Sequence, residues 1–360
     1  MMKSNNLNKR IEEVKEYGAN RTFFPAEWYP QSGIQLTWPH EETDWKEILP
    51  EALACFKQIA QEIAKRQRLL IVAPNVDEVK EQIKDVVDCD RVLFVQCPTN
   101  DTWARDHSPI TRMDNNEPTL IDFTFNGWGM KFPANYDNLI TCNLVHSKQL
   151  TGYYLDQRLI TLEGGALETD GLGTLLTTSE CLLSANRNEW LAKEDMEEYL
   201  KSIFRLKQIL WLNHGYLAGD DTDSHIDTLA RFCSPQTIAY VKCSNSEDEH
   251  FEELSKMEDE LREFTTLSGD PYELIPLPLP DPIYDGEDRL PATYANFLIV
   301  NEAVLYPTYN QPENDLQAKK QLEKAFPGRE IVGIDCRVLI KQHGSLHCVT
   351  MQYPIGVLKD

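Results

Sequence analysis

Cys348 stands in the stretch Lys341-Gln342-His343-Gly344-Ser345-Leu346-His347-Cys348, whose polar and small residues suit a loop that exposes a reactive thiol. Gly344 permits backbone geometry that other residues resist and lets a ligand approach closely. The run 337–340 before it reads as a strand, and alternating Val349, Met351 and Tyr353 read as another, half-buried on one face. A thiol on a bend between strands, beside imidazoles, can be held as thiolate, the form that attacks electrophiles. The competing reading is an inert buried cysteine, which most cysteines are.

Three further segments hold polar residues that a plain surface does not explain. Asn100-Asp101-Thr102-Trp103-Ala104-Arg105-Asp106-His107 follows a strand-like run, where binding residues commonly sit. The alternative there is a salt-bridged loop in which Arg105 pairs with Asp101 or Asp106. Leu162-Glu163-Gly164-Gly165 places a carboxylate before paired glycines, either a group pointing into a tight pocket or an exposed turn. In Asp221-Thr222-Asp223-Ser224-His225-Ile226-Asp227-Thr228, His225 and Asp227 are two apart, so on a strand they share a face. Such a pair on a half-buried strand needs hydrogen-bonding partners.

One thiol, one such histidine and several separated acids limit the chemistry. No metal-ligand spacing of the H-E-x-x-H kind is present. A thiol, a histidine and one orienting carboxylate would suffice for a papain-like hydrolase, and three acids exceed that need. A site that keeps two carboxylates unpaired expects a cation, because burying them uncompensated costs several kcal/mol each. A planar guanidinium uses two carboxylates best, through its five N–H donors. Its carbon is electrophilic enough for a thiolate once the acids hold it. Those residues point to guanidine chemistry.

The elements that must position these groups alternate in kind. Residues 45–65, 77–87, 194–206, 247–264 and 315–325 read as helices, and 68–72, 91–95, 297–306 and 331–334 as strands. The pattern predicts an α/β fold built from strand–turn–helix–strand units without internal sequence identity. No G-x-G-x-x-G or P-loop follows a strand, so a phosphate cradle has no support. No linker or low-complexity tract divides the chain, so 1–360 is expected to form one catalytic domain.

Composition bounds the rest. A hydrophobic content of 41% marks a folded chain, and 35 basic against 58 acidic residues give a net charge of −23. That charge argues against nucleic acid or an anionic membrane as partner and suits a cationic one. The nine cysteines are scattered, with no C-x-x-C pair, which fits a reducing compartment. Residues 1–10 show no leader-like apolar run and no stretch reaches membrane-spanning length, so a cytoplasmic location is expected.

The segments resemble the agmatine deiminase / Porphyromonas-type peptidyl-arginine deiminase family of guanidino-group-modifying enzymes. The matching pieces are Thr37-Trp38-Pro39, Trp103-Ala104-Arg105-Asp106, Phe125-Asn126-Gly127-Trp128-Gly129, Leu162-Glu163-Gly164-Gly165, His225-Ile226-Asp227 and His347-Cys348. They occur in family order along essentially the whole chain. The resemblance implies the pentein fold, a pseudo-five-fold α/β propeller with its site in the central channel. It implies Cys348 as nucleophile, Asp106 and Asp227 as clamps on the guanidinium, and His225 as proton carrier, oriented by Glu163. It implies neither cofactor nor metal.

Agmatine is the substrate expected first, giving N-carbamoylputrescine and ammonia. Its second cation would be received among Trp38, Asp44, Trp103, Trp128 and Gly129, where each Trp could instead be core. Free arginine, peptidyl-arginine and amidino transfer to an amine are the other reactions. A catalytically silent pentein-fold binding protein is the alternative of another class. One departure stands out: Gln342-His343-Gly344 replaces the run of glycines common before the family's cysteine, which bears on the shape of the loop lining the substrate tail. Oligomeric state, a homo-oligomer included, is open.

Overall fold

A computed structural model describes residues 21–359. The stretch 1–10, read above for a leader sequence, lies outside the described residues. Five units share one grammar: an antiparallel strand pair, a crossover helix, and a strand parallel to the second of the pair. In the first, Ile110–Asp114 pairs with Glu117–Thr124, and the chain crosses through Ile140–Ser147 to Tyr153–Thr161. The next uses Glu168–Thr169, Thr174–Thr178, the helix Lys193–Phe204 and Gln208–Leu212. Ala230–Ser234, Thr237–Lys242, the helix Phe251–Glu263 and Glu273–Pro278 form another. Leu298–Val300, Ala303–Thr308, the helix Pro312–Ala325 and Glu330–Asp335 repeat it.

The last unit joins the two ends of the chain. Thr350–Pro354 lies antiparallel to Gln31–Thr37, which is followed by the helix Leu49–Ala64 and by Arg68–Ala73 and Val92–Gln96, both parallel. This is the pentein α/β propeller. Pairing a C-terminal strand with an N-terminal one closes the ring.

Local sequence explains the helices. Leu49–Ala64 buries Ala52, Phe56, Ile59, Ala60 and Ile63 along one stripe, with Pro50 in its first turn. Burying a side chain such as Phe56 or Ile59 contributes about 1.5–3 kcal/mol. Val76–Ile83 starts at Asn75, whose side chain accepts from the Glu78 N–H at 3.3 Å. Among the described residues no helix is long and apolar enough to cross a membrane.

Three sequence expectations are corrected. Residues 297–306 form a hairpin rather than one strand: Leu298–Val300 turns back through Asn301-Glu302, with Glu302 at φ 70°, into Ala303–Thr308. Residues 337–340 are a turn entering the 3-10 helix Leu339–Gln342, not a strand. His225 and Asp227 are not on a strand either. His225 precedes the 3-10 turn Ile226–Thr228, and the strand starts only at Ala230. The His225 N–H donates to Thr222 Oγ1 at 3.1 Å, and Thr228 Oγ1 donates to the His225 carbonyl at 2.8 Å. These local bonds outcompete a sheet ladder.

Candidate active site

Each unit enters its first strand through a short turn, and those turns carry the chemical groups. Ala104–His107 precedes Ile110, Gly164–Ala166 precedes Glu168, and Ile226–Thr228 precedes Ala230. Asn296 precedes Leu298 and Cys348 precedes Thr350 in the same way. Asp106, Glu163, His225, Asp227, Asn296 and Cys348 therefore converge from five places in the sequence. All of them are buried.

The Cys348 turn is held by hydrogen bonds to its backbone. The His347 N–H donates to Asn296 Oδ1 at 2.8 Å, and the Cys348 carbonyl accepts from the Arg105 N–H at 3.1 Å. Cys348 Sγ lies 3.4 Å from Asn296 Oδ1 and 3.9 Å from Asp227 Oδ2. Burial, then the charges of Asp227 and Asp106, push its thiol well above the ordinary range. The free site therefore holds a thiol. The thiolate expected from nearby imidazoles is opposed by carboxylates, and a bound cation would reverse the balance.

His225 stands between two acids, with Nδ1 3.7 Å from Asp106 Oδ1 and Nε2 3.8 Å from Glu163 Oε2. Burial lowers its pKa, but Asp106, Cys181 and Glu163 together raise it well above the usual imidazole value. Its protonated form is therefore favoured at neutral pH. Glu163 is locked by Arg187, whose Nε lies 2.8 Å from Oε2. Burial would raise Glu163, yet His225 and Arg187 hold it below the carboxylate range.

The two clamp candidates differ. Asp106 Oδ1 accepts from the Gly165 N–H at 2.9 Å and Oδ2 from Trp128 Nε1 at 3.0 Å. Burial pushes it up to about 6, with Asp227 and Glu163 adding to that against His225. Asp227 accepts from His347 Nδ1 at 2.7 Å through Oδ2, and its Oδ1 is buried without a hydrogen-bond partner among the described residues. Burial raises its pKa, but His347, His225 and Arg231 prevail and lower it. The paired glycines are steric necessities. A Cβ on Gly165 would clash with His225 Nδ1 and stand 2.8 Å from Asp106 Oδ1, and one on Gly164 would meet the Arg105 carbonyl.

A pocket of about 410 Å³, its open mouth included, leads to Cys348. Trp103, Trp128 and Phe132 give it aromatic walls, and Asp44, Asp101 and Asp221 give it an acidic rim. Among the described residues no Lys or Arg lines it. Burial pushes Asp101 up to about 7 and Asp221 to about 6, so both are partly ionised at neutral pH. A Cβ on Gly344 would clash with the Trp103 ring, so this glycine lets the loop lie on the indole. Gln342 Nε2 donates to the Asp44 carbonyl at 2.9 Å and His343 Nδ1 lies 2.7 Å from the Gly219 carbonyl, which ties the departing loop to the rim.

Several expectations fall elsewhere. Trp38 is buried core, donating to Gln82 Oε1 at 2.7 Å and packed edge-on against Phe56. Gly129 does not line the pocket; at φ 84° it shapes the turn that presents Trp128. Arg105 pairs with neither Asp101 nor Asp106, and its Nε reaches only the His347 carbonyl at 3.5 Å. Asn296, Phe132, Arg187 and Glu27 escaped the sequence reading, which quoted Asp221 in the histidine segment without giving it a role. The doubled acid Asp220-Asp221 was the available signal for Asp221; Asn296 had none.

Glu163, Cys181 and His225 are the one three-donor cluster among the described residues that could hold a metal ion. Arg187 already occupies the Glu163 carboxylate, which sets a positive charge against any cation there. A larger cavity of about 580 Å³ is lined by Glu27, Arg105 and Glu168 and lacks Cys348 and Asp106, both of which line the smaller pocket.

Comparison with known proteins agrees with this geometry. The model of the Porphyromonas-type peptidyl-arginine deiminase family matches residues 23–354. A Marinomonas sp. protein provisionally named agmatine deiminase is 33% identical, over 92% of this chain and 94% of its own. A crystal structure of a provisionally named arginine deiminase from Porphyromonas gingivalis superposes with TM-score 0.89 at 49% identity, covering 94% of this chain and all 100% of that one. A cysteine-to-serine variant of C. jejuni agmatine deiminase with substrate bound gives 0.87 at 41%, covering 94% and 98%.

Proposed function

The chain belongs to the Porphyromonas-type peptidyl-arginine deiminase family, and we propose that it hydrolyses agmatine to N-carbamoylputrescine and ammonia. The observation that carries the choice of substrate is the charge of the pocket: three carboxylates at the rim and, among the described residues, neither Lys nor Arg in the lining. Agmatine ends in an ammonium, which those acids and the indole faces attract. Arginine ends in a carboxylate as well, which Asp44, Asp101 and Asp221 would repel.

In this reading Asp106 and Asp227 hold the guanidinium nitrogens against the thiol. The cation supplies the positive charge that the buried Cys348 lacks, the sulfur releases its proton to bulk water, and the thiolate adds to the guanidinium carbon. His225 gives its proton to the departing nitrogen, ammonia leaves, and an amidino thioether remains on Cys348. Neutral His225 then takes a proton from water, and the resulting hydroxide adds to the same carbon. The carbon–sulfur bond breaks, the hydroxyl proton passes to the departing sulfur, and the urea product leaves the regenerated thiol. Proton transfers of this kind contribute about 10²–10⁴-fold each.

Ammonia release from agmatine, free arginine and an arginyl peptide, measured side by side, tests the reading. Agmatine should give a kcat/KM at least about tenfold above the others, the equivalent of roughly 1.4 kcal/mol. Equal or better turnover of arginine would overturn the choice of agmatine. Silence on all three would overturn the deiminase reading and leave the silent binding protein.

A further inference from the structure

His347 is buried beside the nucleophile, and the steps above give it no task. Its ring spans two carboxylates: Nδ1 lies 2.7 Å from Asp227 Oδ2 and Nε2 lies 2.7 Å from Glu27 Oε2. Glu27 is itself fixed, accepting from Arg231 Nη2 through Oε2 and from the Ile299 N–H through Oε1, both at 2.5 Å. Arg231 is anchored in turn by Glu168 Oε2 and by the Phe297 carbonyl, each at 2.7 Å. Burial opposes ionisation of Glu27, yet Arg231 and His347 hold its carboxyl well below the usual range. The chain Glu168, Arg231, Glu27, His347, Asp227 is unbroken and buried throughout.

This chain divides the labour of the two Asp227 oxygens. Oδ2 is taken by His347, while Oδ1 has no partner among the described residues. A carboxylate pinned through one oxygen presents the other in a single direction, and a rigid supporting shell is what a clamp requires.

We propose that Glu27 and His347 are positioning residues: Glu27 fixes the imidazole through Nε2, and Nδ1 turns Asp227 so that Oδ1 meets the guanidinium. The proposal rests on the reading of Asp227 as a guanidinium clamp. It differs from a purely structural role, in which the ring only neutralises two buried acids.

Two amide variants separate the roles, because Asn places its side-chain nitrogen near the position of Nδ1 and Gln near that of Nε2. His347→Asn keeps the donor to Asp227, and His347→Gln keeps only the one to Glu27. With agmatine, His347→Asn should stay within about tenfold of wild type in kcat/KM, while His347→Gln should lose about 100-fold, much of it in KM. Agmatine binding measured calorimetrically in a Cys348→Ser background should weaken in the Gln variant alone. Equal losses in both variants, or equal retention, would overturn the proposal. Glu27→Gln adds an arm that spares the histidine: its amide oxygen still accepts from Nε2, so activity should fall less than in His347→Gln. A fall as deep as that variant's would mean that charge rather than orientation matters, and would overturn it too. If wild type releases no ammonia, the functional reading fails; if wild type is active and the pattern differs, only this inference fails.

Discussion

Replacing Asp227 by Asn should move two reactivities of one site in opposite directions. The Asp227 carboxylate lies 3.9 Å from Cys348 Sγ and disfavours the thiolate in the free enzyme. At 3.9 Å and an effective dielectric of about 20, a unit charge is worth about 4 kcal/mol, a factor of about 10³ in thiolate population. Asn keeps the shape and removes the charge, so Cys348 in free Asp227→Asn enzyme should react faster with neutral iodoacetamide, by as much as about 10³-fold. Deimination should fall instead. Losing one partner of a buried, hydrogen-bonded charge pair costs about 2–5 kcal/mol, or about 30- to 5,000-fold in kcat/KM. The assays are the pH-dependent rate of alkylation, followed by mass spectrometry of the Cys348 peptide, and ammonia release from agmatine. A slower or unchanged alkylation rate would refute the electrostatic reasoning. Unchanged turnover would refute the clamp.

Other consequences follow from the same geometry. Asp106 must be ionised to hold the cation, so kcat/KM should decline as pH falls through about 6, the value to which burial raises it. His225 must be protonated, and because its acid neighbours raise its pKa well above the ordinary one, the alkaline decline should lie well above neutrality. Glu163→Gln removes one of those neighbours, 3.8 Å from Nε2, and should bring the alkaline limb down toward neutral pH while lowering kcat by about 10²–10⁴-fold. Gly165→Ala should abolish ammonia release, since the added Cβ clashes with His225 and stands 2.8 Å from Asp106 Oδ1; activity and thermal unfolding measured together will separate this from misfolding. Asp221→Asn should raise KM for agmatine several-fold and narrow the preference over arginine, with a loss of about 0.2–1 kcal/mol as expected of a partly exposed ion pair.

Much of the site was legible because polar residues that must be buried stand out in sequence. Glu163 before two glycines, His225 with Asp227, and Cys348 after Gly344 each signalled a group with a task; all of them are buried, with Asp227 3.9 Å from Cys348 Sγ and Glu163 3.8 Å from His225. The helices Leu49–Ala64, Val76–Ile83, Lys193–Phe204, Phe251–Glu263 and Pro312–Ala325 were legible from periodicity, whereas the strands between residues 97 and 297 went unread and the hairpin at Leu298–Thr308 was hidden by its short turn, Asn301-Glu302, between two apolar runs. The period-two spacing of His225 and Asp227 was real but misleading, since Thr222 and Thr228 divert the backbone into a 3-10 turn. Trp38 was indistinguishable in sequence from Trp103 and Trp128, and only the fold separates a core indole from a pocket wall. Asn296 and Glu27 were illegible. Their importance arises from residues 52 and 320 positions away, Cys348 and His347, which local pattern does not encode.

The most direct test is intact-protein mass after rapid acid quench of enzyme mixed with agmatine, with ammonia measured in parallel. The wild-type chain should carry a transient adduct on Cys348 equal to agmatine less ammonia, decaying as N-carbamoylputrescine forms, while Cys348→Ser shows neither adduct nor turnover. Ammonia release by the serine variant at the wild-type rate, or wild-type turnover with the adduct on a different residue, would contradict the account.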